Sequence, residues 1–326
     1  MATDNKNKVL NVPHLRFPEF SGEWEKYRLC DVASIVGRIG FRGYTTNDIV
    51  TKGKGAIALS PTNIENNKLT YDKDNTYISF YKYEESPEIM IKQGDVIFVK
   101  TGSTVGKVAY VDKLICKTTL NPQVVVLKDI QCDNYLLSVL MSTNKFQNAI
   151  RKIIVGGAVP TLSQAAMGDI VVTMPQATEQ EKLSKFISLL DDRIATQNKI
   201  IEKLQSLIKG LAAQLTQSGT PNVRLCDCLE CHSSTLQENC VSATGSYPVY
   251  GATGLIGYTN GYAYNGESIL IVKDGSGVGS LSYANDCYSV IGTLNYLTAK
   301  GKYSVLYLYY ALMAFNVSKH SINYKF

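Results

Sequence analysis

The clearest pattern of apolar and polar positions in the chain runs from residue 178 to residue 217. Apolar side chains recur there at alternating spacings of four and three residues, which is a heptad repeat. The stripe consists of Leu183, Ile187, Leu190, Ile194, Gln197, Ile201, Leu204, Ile208, Leu211 and Leu215. Gln197 is its single polar member, and a polar residue in such a seam fixes the register at some cost in stability. The pattern predicts a coiled-coil helix about 60 Å long, at about 1.5 Å per residue.

Both ends of this helix carry recognisable signals. Thr178 and Glu181 have the spacing of a capping box, and residues 219–221 read Gly-Thr-Pro, which is a stop signal. A helix lying across its own domain core is the alternative, but such helices are usually much shorter and seldom keep a strict heptad. Three further apolar side chains fall at g positions and widen the stripe, which indicates contact with more than one partner surface: Phe186, Ile200 and Leu207.

A second pattern is an internal repeat. VKTGSTVGKVAY at 99–110 and VKDGSGVGSLSY at 272–283 share both glycines of the first copy. The first stretch resembles a phosphate-binding loop, but Gly102 to Gly106 is one residue too short and Val108 follows the lysine where Ser or Thr is needed. The second copy replaces Lys107 by Ser280. Nucleotide binding, and with it a nucleotide hydrolase, is therefore not favoured, and the stretch is predicted to be a glycine-rich turn joining two strands.

The repeat extends on both sides of the turn in the same order. RLCDVASI from Arg28 is similar to RLCDCLE from Arg224, and Thr119-Leu120-Asn121 is similar to the Thr-Leu-Asn of residues 293–295. A helix-like run follows in each copy, YLLSVLM from Tyr135 and YLYYALM from Tyr307. We therefore expect an α+β protein with two related domains, at 1–177 and 219–326, joined by a helix at 178–218. The second domain is expected to be truncated, because the strand-like DIVVTMP and the long helix of the first copy have no counterpart.

Composition narrows the class of protein. The chain has 326 residues, 45% of them hydrophobic, and a net charge of +5, a mild basic excess that suits a polyanion without requiring one. No export signal precedes the domains, and the apolar stretch at 303–315 is too short to cross a bilayer, so a cytoplasmic protein with no membrane partner and reduced thiols is expected. The CDCLECH stretch at 226–232 lacks the paired spacing of a structural zinc site, so no metal is expected. The three histidines, His14, His232 and His320, have no catalytic partners nearby in sequence, so the chain is not expected to be an enzyme.

Four separated segments resemble one known family. They are HLRFPEFSGEWEKYRLCDVASI (14–35), GAIALSPTNI (55–64), QGDVIFVKTGSTVGKVAYV (93–111) and PQATEQEKLSKFISLLDDRI (175–194), and they occur in the family's order. With the long heptad helix between two related domains, the chain resembles the specificity subunit of type I restriction-modification enzymes from about residue 12 onward. It departs from that family in lacking a second conserved helix.

The resemblance implies a non-catalytic recognition protein that binds no cofactor itself. Each copy would be a target-recognition domain that reads one half of a split double-stranded DNA sequence, and paired helices would hold the two domains apart. Two methyltransferase subunits would bring S-adenosylmethionine, and motor-nuclease subunits would use ATP and Mg. Heptads of this composition favour parallel pairs in isolated peptides, but two linked domains favour an antiparallel arrangement. Three alternatives stay open: a homodimer formed through the lone helix, an inactive or partial specificity cassette, and a coiled-coil adaptor that does not bind DNA.

DNA contacts are predicted from residue chemistry, since lysine steadies phosphates and amides read base edges. The regions that differ between the copies, 38–54 and 232–262, are stronger candidates than any single residue. The individual candidates are Lys52, Lys54, Asn63, Lys100, Ser103, Lys107, Asn121 and Gln123 in the first copy, and Lys273 and Ser276 in the second.

Overall fold

The structure is a computed structural model and describes residues 12–13, 15–71, 74–157, 159–216, 223–275 and 277–315. The chain divides into two compact units, residues 1–192 and 193–326. Both units mix helices and strands, and one long helix crosses the boundary between them, so the predicted α+β class is confirmed. Within the described ranges, no helix has the length and apolar character needed to cross a membrane.

The first unit contains strands β1 to β12. They are β1 (Glu25–Arg28), β2 (Ser34–Gly37), β3 (Ile49–Val50), β4 (Gly55–Leu59), β5 (Ile64–Glu65), β6 (Lys68–Leu69), β7 (Thr76–Ser79), β8 (Val96–Val99), β9 (Val108–Tyr110), β10 (Thr118–Leu120), β11 (Val124–Lys128) and β12 (Val171–Met174). They form a six-stranded sheet in the order β2-β11-β8-β9-β6-β5, a four-stranded sheet in the order β10-β4-β7-β3, and the antiparallel pair β1-β12.

The helices among the described residues are mostly short. They are α1 (Leu29–Val32), α2 (Phe80–Glu84), α3 (Asn134–Ser142), α4 (Asn144–Ile153), α5 (Gln164–Gly168), α6 (Ala177–Thr216), α7 (Leu225–Cys228) and α8 (Val305–Phe315). Single 3-10 turns lie at Gly40–Arg42, Thr46–Asp48, Pro61–Asn63, Pro87–Ile89 and Glu238–Cys240.

Strands β8 and β11 read as unbroken apolar runs because both of their faces are buried. Val96 and Phe98 pack into one hydrophobic core with helices α3, α4 and α5, while Ile97 and Val99 pack into a second core with β4 and β10. The β11 side chains divide between the same two cores. The central sheet therefore gives the end of β8, where the glycine-rich turn begins, a rigid support.

In its described residues, 223–275 and 277–315, the second unit repeats this arrangement with fewer strands. They are β13 (Leu229–Ser233), β14 (Tyr247–Gly251), β15 (Gly254–Thr259), β16 (Tyr264–Asn265), β17 (Ser268–Val272), β18 (Leu281–Ala284), β19 (Cys287–Val290) and β20 (Leu294–Ala299). They form two four-stranded sheets in the orders β13-β20-β17-β18 and β15-β14-β19-β16. The strand order β2-β11-β8-β9 of the first unit thus recurs as β13-β20-β17-β18, and α3 and α8 both pack on the strands that flank the turn.

The proposed match between the two Thr-Leu-Asn triplets was wrong by four residues. Val99 pairs with Val124 across the sheet, and its counterpart Val272 pairs with Leu294, so Val124 and Leu294 are equivalent. Thr119 instead lies on β10, which pairs parallel with β4, and the equivalent parallel pair in the second unit is β19 with β14. Residue 293 therefore occupies the place of Gln123.

Helix α6 is a single helix of 40 residues, as the heptad predicts. It begins at Ala177, so Thr178 lies inside the helix and the predicted capping box was wrong. Gln180 acts at this end instead: its Nε2 donates to the Pro175 carbonyl at 2.9 Å, and its Oε1 accepts from the Asp133 backbone N–H at 2.9 Å. The predicted stop signal at 219–221 lies outside the described residues.

Candidate nucleic-acid interface

The glycine-rich stretch of the first unit is a tight turn between β8 and β9. The Val99 N–H donates to the Lys107 carbonyl at 2.9 Å, and the Gly106 N–H donates to the Val99 carbonyl at 3.0 Å. Gly102 and Gly106 have φ values of +104° and +99°, which favour glycine. A Cβ added to Gly106 would also lie 2.5 Å from the Gln147 side-chain oxygen. The prediction of a turn joining two strands is confirmed.

The second unit builds the same turn between β17 and β18. The Val272 N–H donates to the Ser280 carbonyl at 3.0 Å, and the Gly279 N–H donates to the Val272 carbonyl at 2.9 Å. Strand register is also the same, since Val96 pairs with Tyr110 and Ile269 pairs with Tyr283. A strand rather than a helix follows each turn, so neither has the context of a phosphate-binding loop.

The first turn brings four of the candidate residues onto one surface. The backbone N–H groups of Lys100 and Thr101 donate to the Gln123 carbonyl at 2.9 and 3.2 Å. Asn121 accepts from the Gln123 N–H at 2.9 Å and donates to its side-chain oxygen at 3.2 Å. Ser103 and Gln123 are exposed, Lys100 is half-buried, and Asn121 is 9% exposed. We call Lys100, Ser103, Asn121 and Gln123 the turn surface.

A buried arginine that is not among the individual candidate residues supports the turn surface. Arg38 is 6% exposed, and its Nε donates to the Leu120 carbonyl at 2.8 Å while its Nη2 donates to Thr119 Oγ1 at 3.1 Å. Its guanidinium lies 5.4 Å from the Tyr44 ring centroid, and burial lowers the pKa of Arg38. Arg38 thus ties the 38–45 loop to the residues that lead into Asn121. No local signal separates it from a surface arginine, because its partners are distant in sequence.

Lys107 lies at another edge of the same turn. Its side chain is exposed, and its Nζ donates to the Ile64 carbonyl at 3.2 Å. An open groove of about 860 Å³ runs past it, lined also by Asn66, Ser103 and Gln147. A lysine held at the rim of such a groove keeps its charge available to a phosphate.

Asn63 does not belong to this interface. It is 2% exposed, its oxygen accepts from the Ser60 N–H at 2.9 Å, and its amide donates to the Thr70 carbonyl at 3.1 Å and to Asn75 at 2.6 Å. The oxygen also accepts from Ser60 Oγ at 3.2 Å, so both amide hydrogens and both oxygen lone pairs of this buried side chain are used, and nothing is left for a base edge. We therefore remove Asn63 from the base-reading candidates.

Lys52 and Lys54 lie apart from the turn surface. Both are exposed in the connection between β3 and β4, where the Lys54 N–H donates to the Thr51 carbonyl at 3.0 Å. These strands belong to the four-stranded sheet, whereas the glycine-rich turn belongs to the six-stranded one. The structure gives these two lysines no shared site with Lys100 or Lys107.

The second unit presents a counterpart of the turn surface. Lys273 is exposed, and the N–H groups of Lys273 and Asp274 donate to the Thr293 carbonyl at 3.0 and 3.4 Å, as Lys100 and Thr101 do to Gln123. Ser276 lies outside the described residues. The candidate region 232–262 includes β14 and β15, which are paired sheet strands.

The cysteines near residue 230 are spread over different environments. Cys228 is buried on α7, whereas Cys226 and Cys231 are exposed. His232 shares a hydrogen bond of 2.9 Å with Thr298 Oγ1 and stacks on Tyr296 at 4.8 Å between ring centroids. In the part of the chain that the structure describes, no three His, Cys, Asp or Glu side chains are grouped so that they could hold a metal ion. His14 and His320 lie outside that part.

The heptad stripe of α6 forms a second candidate surface, which we call the seam. Leu183 and Ile187 are half-buried on the first unit, but every residue from 196 to 211 is exposed. Isolated large apolar side chains at a surface are common, whereas a continuous stripe of them marks an interaction site. The exposed seam residues beyond Ile187 are Leu190, Ile194, Gln197, Ile201, Leu204, Ile208, Leu211 and Leu215.

Comparison with known proteins assigns a family to this arrangement. The chain is 25% identical over 209 residues to the type I restriction enzyme MjaVIII specificity subunit of Methanocaldococcus jannaschii, a match that covers 63% of this chain but only 44% of that protein. The crystal structure of a type I restriction-modification system S subunit from M. genitalium has the same fold, with a TM-score of 0.62 at 15% identity over 91% of this chain and 78% of that one. The family model described as the type I restriction modification DNA specificity domain matches residues 21–206, more than half of the chain. The protein therefore belongs to the type I restriction modification DNA specificity domain family.

Proposed function

We propose that this protein is the DNA-recognition subunit of a type I restriction-modification enzyme, and that its two units each read one half of a split target. The observation that carries the proposal is the repetition of one strand, glycine turn and strand with identical register in both units. Two related reading surfaces on one chain suit a target made of two separate half-sites. In this proposal the chain is not itself catalytic.

The turn surfaces offer the chemistry that DNA recognition needs. Exposed amide side chains can pair with base edges in the major groove, and lysines can neutralise phosphates. Gln123 and Ser103 face solvent beside Lys100, and Lys107 stands at the rim of the adjoining groove. Thr293 replaces Gln123 in the second unit, and Ser280 replaces Lys107, so the two units would read different bases.

The seam supports a role for α6 as a spacer that pairs with another helix. An antiparallel copy of α6, with its two-fold axis beside residue 199, sets Leu190 opposite Ile208 of the second chain and Ile194 opposite Leu204. The same register sets Gln197 opposite Ile201. Because the six exposed seam positions from Leu190 to Ile208 find apolar or Gln partners in this register, the homodimer is the pairing that we propose for this chain.

Partner enzymes would act at the DNA that the two units hold. Two methyltransferase subunits would supply S-adenosylmethionine for adenine methylation, and motor-nuclease subunits would use ATP and Mg for cleavage. The g-position side chains Phe186, Ile200 and Leu207 are 44% to 57% exposed and lie beside the seam. They provide apolar surface for a methyltransferase subunit on a paired helix.

Selection from a pool of random duplexes tests the proposal. The chain, assembled with methyltransferase subunits, is expected to retain duplexes that share two short sequences at one fixed separation. Retention of duplexes with no common sequence would contradict sequence recognition. Retention of duplexes that share a single continuous sequence would contradict the proposal that each unit reads a separate half-site.

The exposed seam also fits an adaptor that joins other proteins without binding DNA. An adaptor would form the same helical assemblies but would retain no duplex in the selection. Retention of split-sequence duplexes therefore decides between the two functions.

A further inference from the structure

Helix α6 is anchored to the first unit by a segment that precedes every strand of that unit. Arg16 makes a two-pronged contact with Glu179, in which Nε donates to Oε1 at 2.8 Å and Nη2 donates to Oε2 at 2.6 Å. The Arg16 Nη1 also donates to the Gly22 carbonyl at 2.6 Å. The guanidinium therefore links the 21–22 turn to the third residue of α6.

The Glu179 carboxylate is almost wholly removed from solvent. It is 1% exposed, and its Oε1 accepts a further hydrogen bond from Trp24 Nε1 at 3.3 Å. A buried charge is tolerated where it is paired and hydrogen-bonded, and it is strongly unfavourable once its partner is removed. Arg16 and Trp24 therefore stabilise the first turn of α6 in its position against segment 16–24.

Two more turns of the helix extend the same contact. Lys182 lies 4.5 Å from the Phe17 ring centroid and pairs with Glu19, while Phe186 meets Phe17 edge-on with centroids 5.8 Å apart. Glu179, Lys182 and Phe186 follow the i, i+3, i+7 spacing, so they share one face of the helix. We call segment 16–24 and this face the anchor.

Further contacts, outside the anchor, also hold helix α6 on the first unit. Gln180 bonds to the Asp133 backbone, and the Tyr135 hydroxyl donates to Asp191 Oδ2 at 2.8 Å. Burial, and then this hydrogen bond, raise the pKa of Tyr135, so the hydroxyl keeps its proton at neutral pH. Contacts on two sides fix the first four turns, whereas residues 196–211 are exposed on every face.

We propose that Arg16, with Trp24 and Glu179, is a positioning device that sets the direction in which α6 leaves the first unit and thereby the separation of the half-sites that the protein accepts. The proposal rests on the DNA-recognition function proposed above. From residue 179 the helix extends about 55 Å, at about 1.5 Å per residue. A tilt of about 5° at the anchor would therefore move its far end by about 5 Å, more than the roughly 3.4 Å between successive base pairs.

The test compares the full-length Arg16→Gln and Glu179→Gln variants with the unchanged protein in the random-duplex selection. We expect the same two half-site sequences in every case, and separations that spread by about one or two base pairs in the variants. Arg28→Gln is the matched control, because the exposed ion pairs of Arg28 are with Asp31 and Asp169, which lie outside the anchor. The control is expected to keep one separation.

Hydrogen exchange reports on the anchor without DNA. Amides of residues 180–192 are expected to exchange roughly tenfold faster in both variants, while the amides of β8 and β11 keep their protection. If Arg16→Gln does not fold, Arg16→Lys decides, because it keeps the charge but loses the two-pronged geometry. It is expected to fold and to show an intermediate spread of separations.

Two outcomes of these experiments would overturn the proposal, and a third would overturn the proposed function. Unchanged separations with faster exchange at 180–192 would reduce the anchor to a purely stabilising contact and overturn the proposal. A uniform loss of retention with no change in separation would overturn it as well. If the unchanged protein selects no split sequence, the proposed function itself fails, and the variants are not needed to show it.

Discussion

Replacing Leu204 by alanine separates the pairing role of α6 from its folding role. Leu204 is 53% exposed, so about half of its side chain stays unburied until another helix covers the seam. Full burial of a leucine stabilises by about 1.5–3 kcal/mol, so covering the remaining half contributes about 1 kcal/mol. A symmetric pair contains the change twice, and the loss of about 2 kcal/mol weakens the dimer roughly 30-fold.

The free energy of unfolding of the isolated chain should hardly respond to the same substitution. Exposed positions change it by within about 0.5 kcal/mol, and alanine is the best helix former. Sedimentation equilibrium measures the dimer dissociation constant, and urea unfolding at low protein concentration measures the chain's own stability. Lys203→Ala is the matched control, because Lys203 is exposed on α6 but lies outside the seam. Gln197→Leu is expected to tighten the dimer, since it removes the polar member of the seam.

Two results would contradict the pairing role of Leu204. A fall of more than about 2 kcal/mol in the unfolding free energy of Leu204→Ala would mean that Leu204 already packs in a core. A concentration-independent monomer in the unchanged protein would mean that the seam does not pair with itself.

Three further predictions address the first unit. Asn63→Ala should lower the free energy of unfolding by about 1–3 kcal/mol, because it removes the hydrogen bonds that the buried amide makes to Ser60, Thr70 and Asn75; urea unfolding measures this, and an unchanged midpoint would show that these bonds contribute nothing. Lys107→Ala should weaken binding equally on cognate and non-cognate duplexes and flatten the salt dependence by about one unit of slope; an unchanged slope in an ionic-strength titration would remove Lys107 from the interface. Burial raises the pKa of the Cys132 thiol to about 11, so at pH 8 Cys132 should be alkylated far more slowly than the exposed Cys30. Mass spectrometry follows the two alkylation rates, and equal rates would show that Cys132 is open to solvent.

The helix and the glycine turns could be predicted from the sequence because their signals are local. A heptad needs only regular spacing, and the turn needs glycine where φ is positive, as at Gly102 and Gly106. The repeat could also be predicted from the sequence, but the two Thr-Leu-Asn triplets are identical in sequence without occupying equivalent positions in the fold. Only the pairing of Val99 with Val124 and of Val272 with Leu294 shows which residues are equivalent.

The candidate site was predictable only where its members are close in sequence. Lys100, Ser103 and Lys107 belong to one turn, whereas Arg38 reaches it through contacts with residues about 80 positions away. Asn63 looked like a base reader because asparagine is polar, but only the structure shows that its amide is used by Ser60, Thr70 and Asn75, all within 12 residues of it. The anchor resembles Arg38 in depending on distant partners, since Arg16 and Glu179 are 163 residues apart.

Mapping methylated adenines in the genome of cells that carry this chain with methyltransferase subunits tests whether one chain holds two related reading surfaces apart on α6. We expect a split motif in which two short sequences, each with a methylated adenine, occur at one fixed separation. A continuous motif, or methylation that follows only one short sequence, would contradict it.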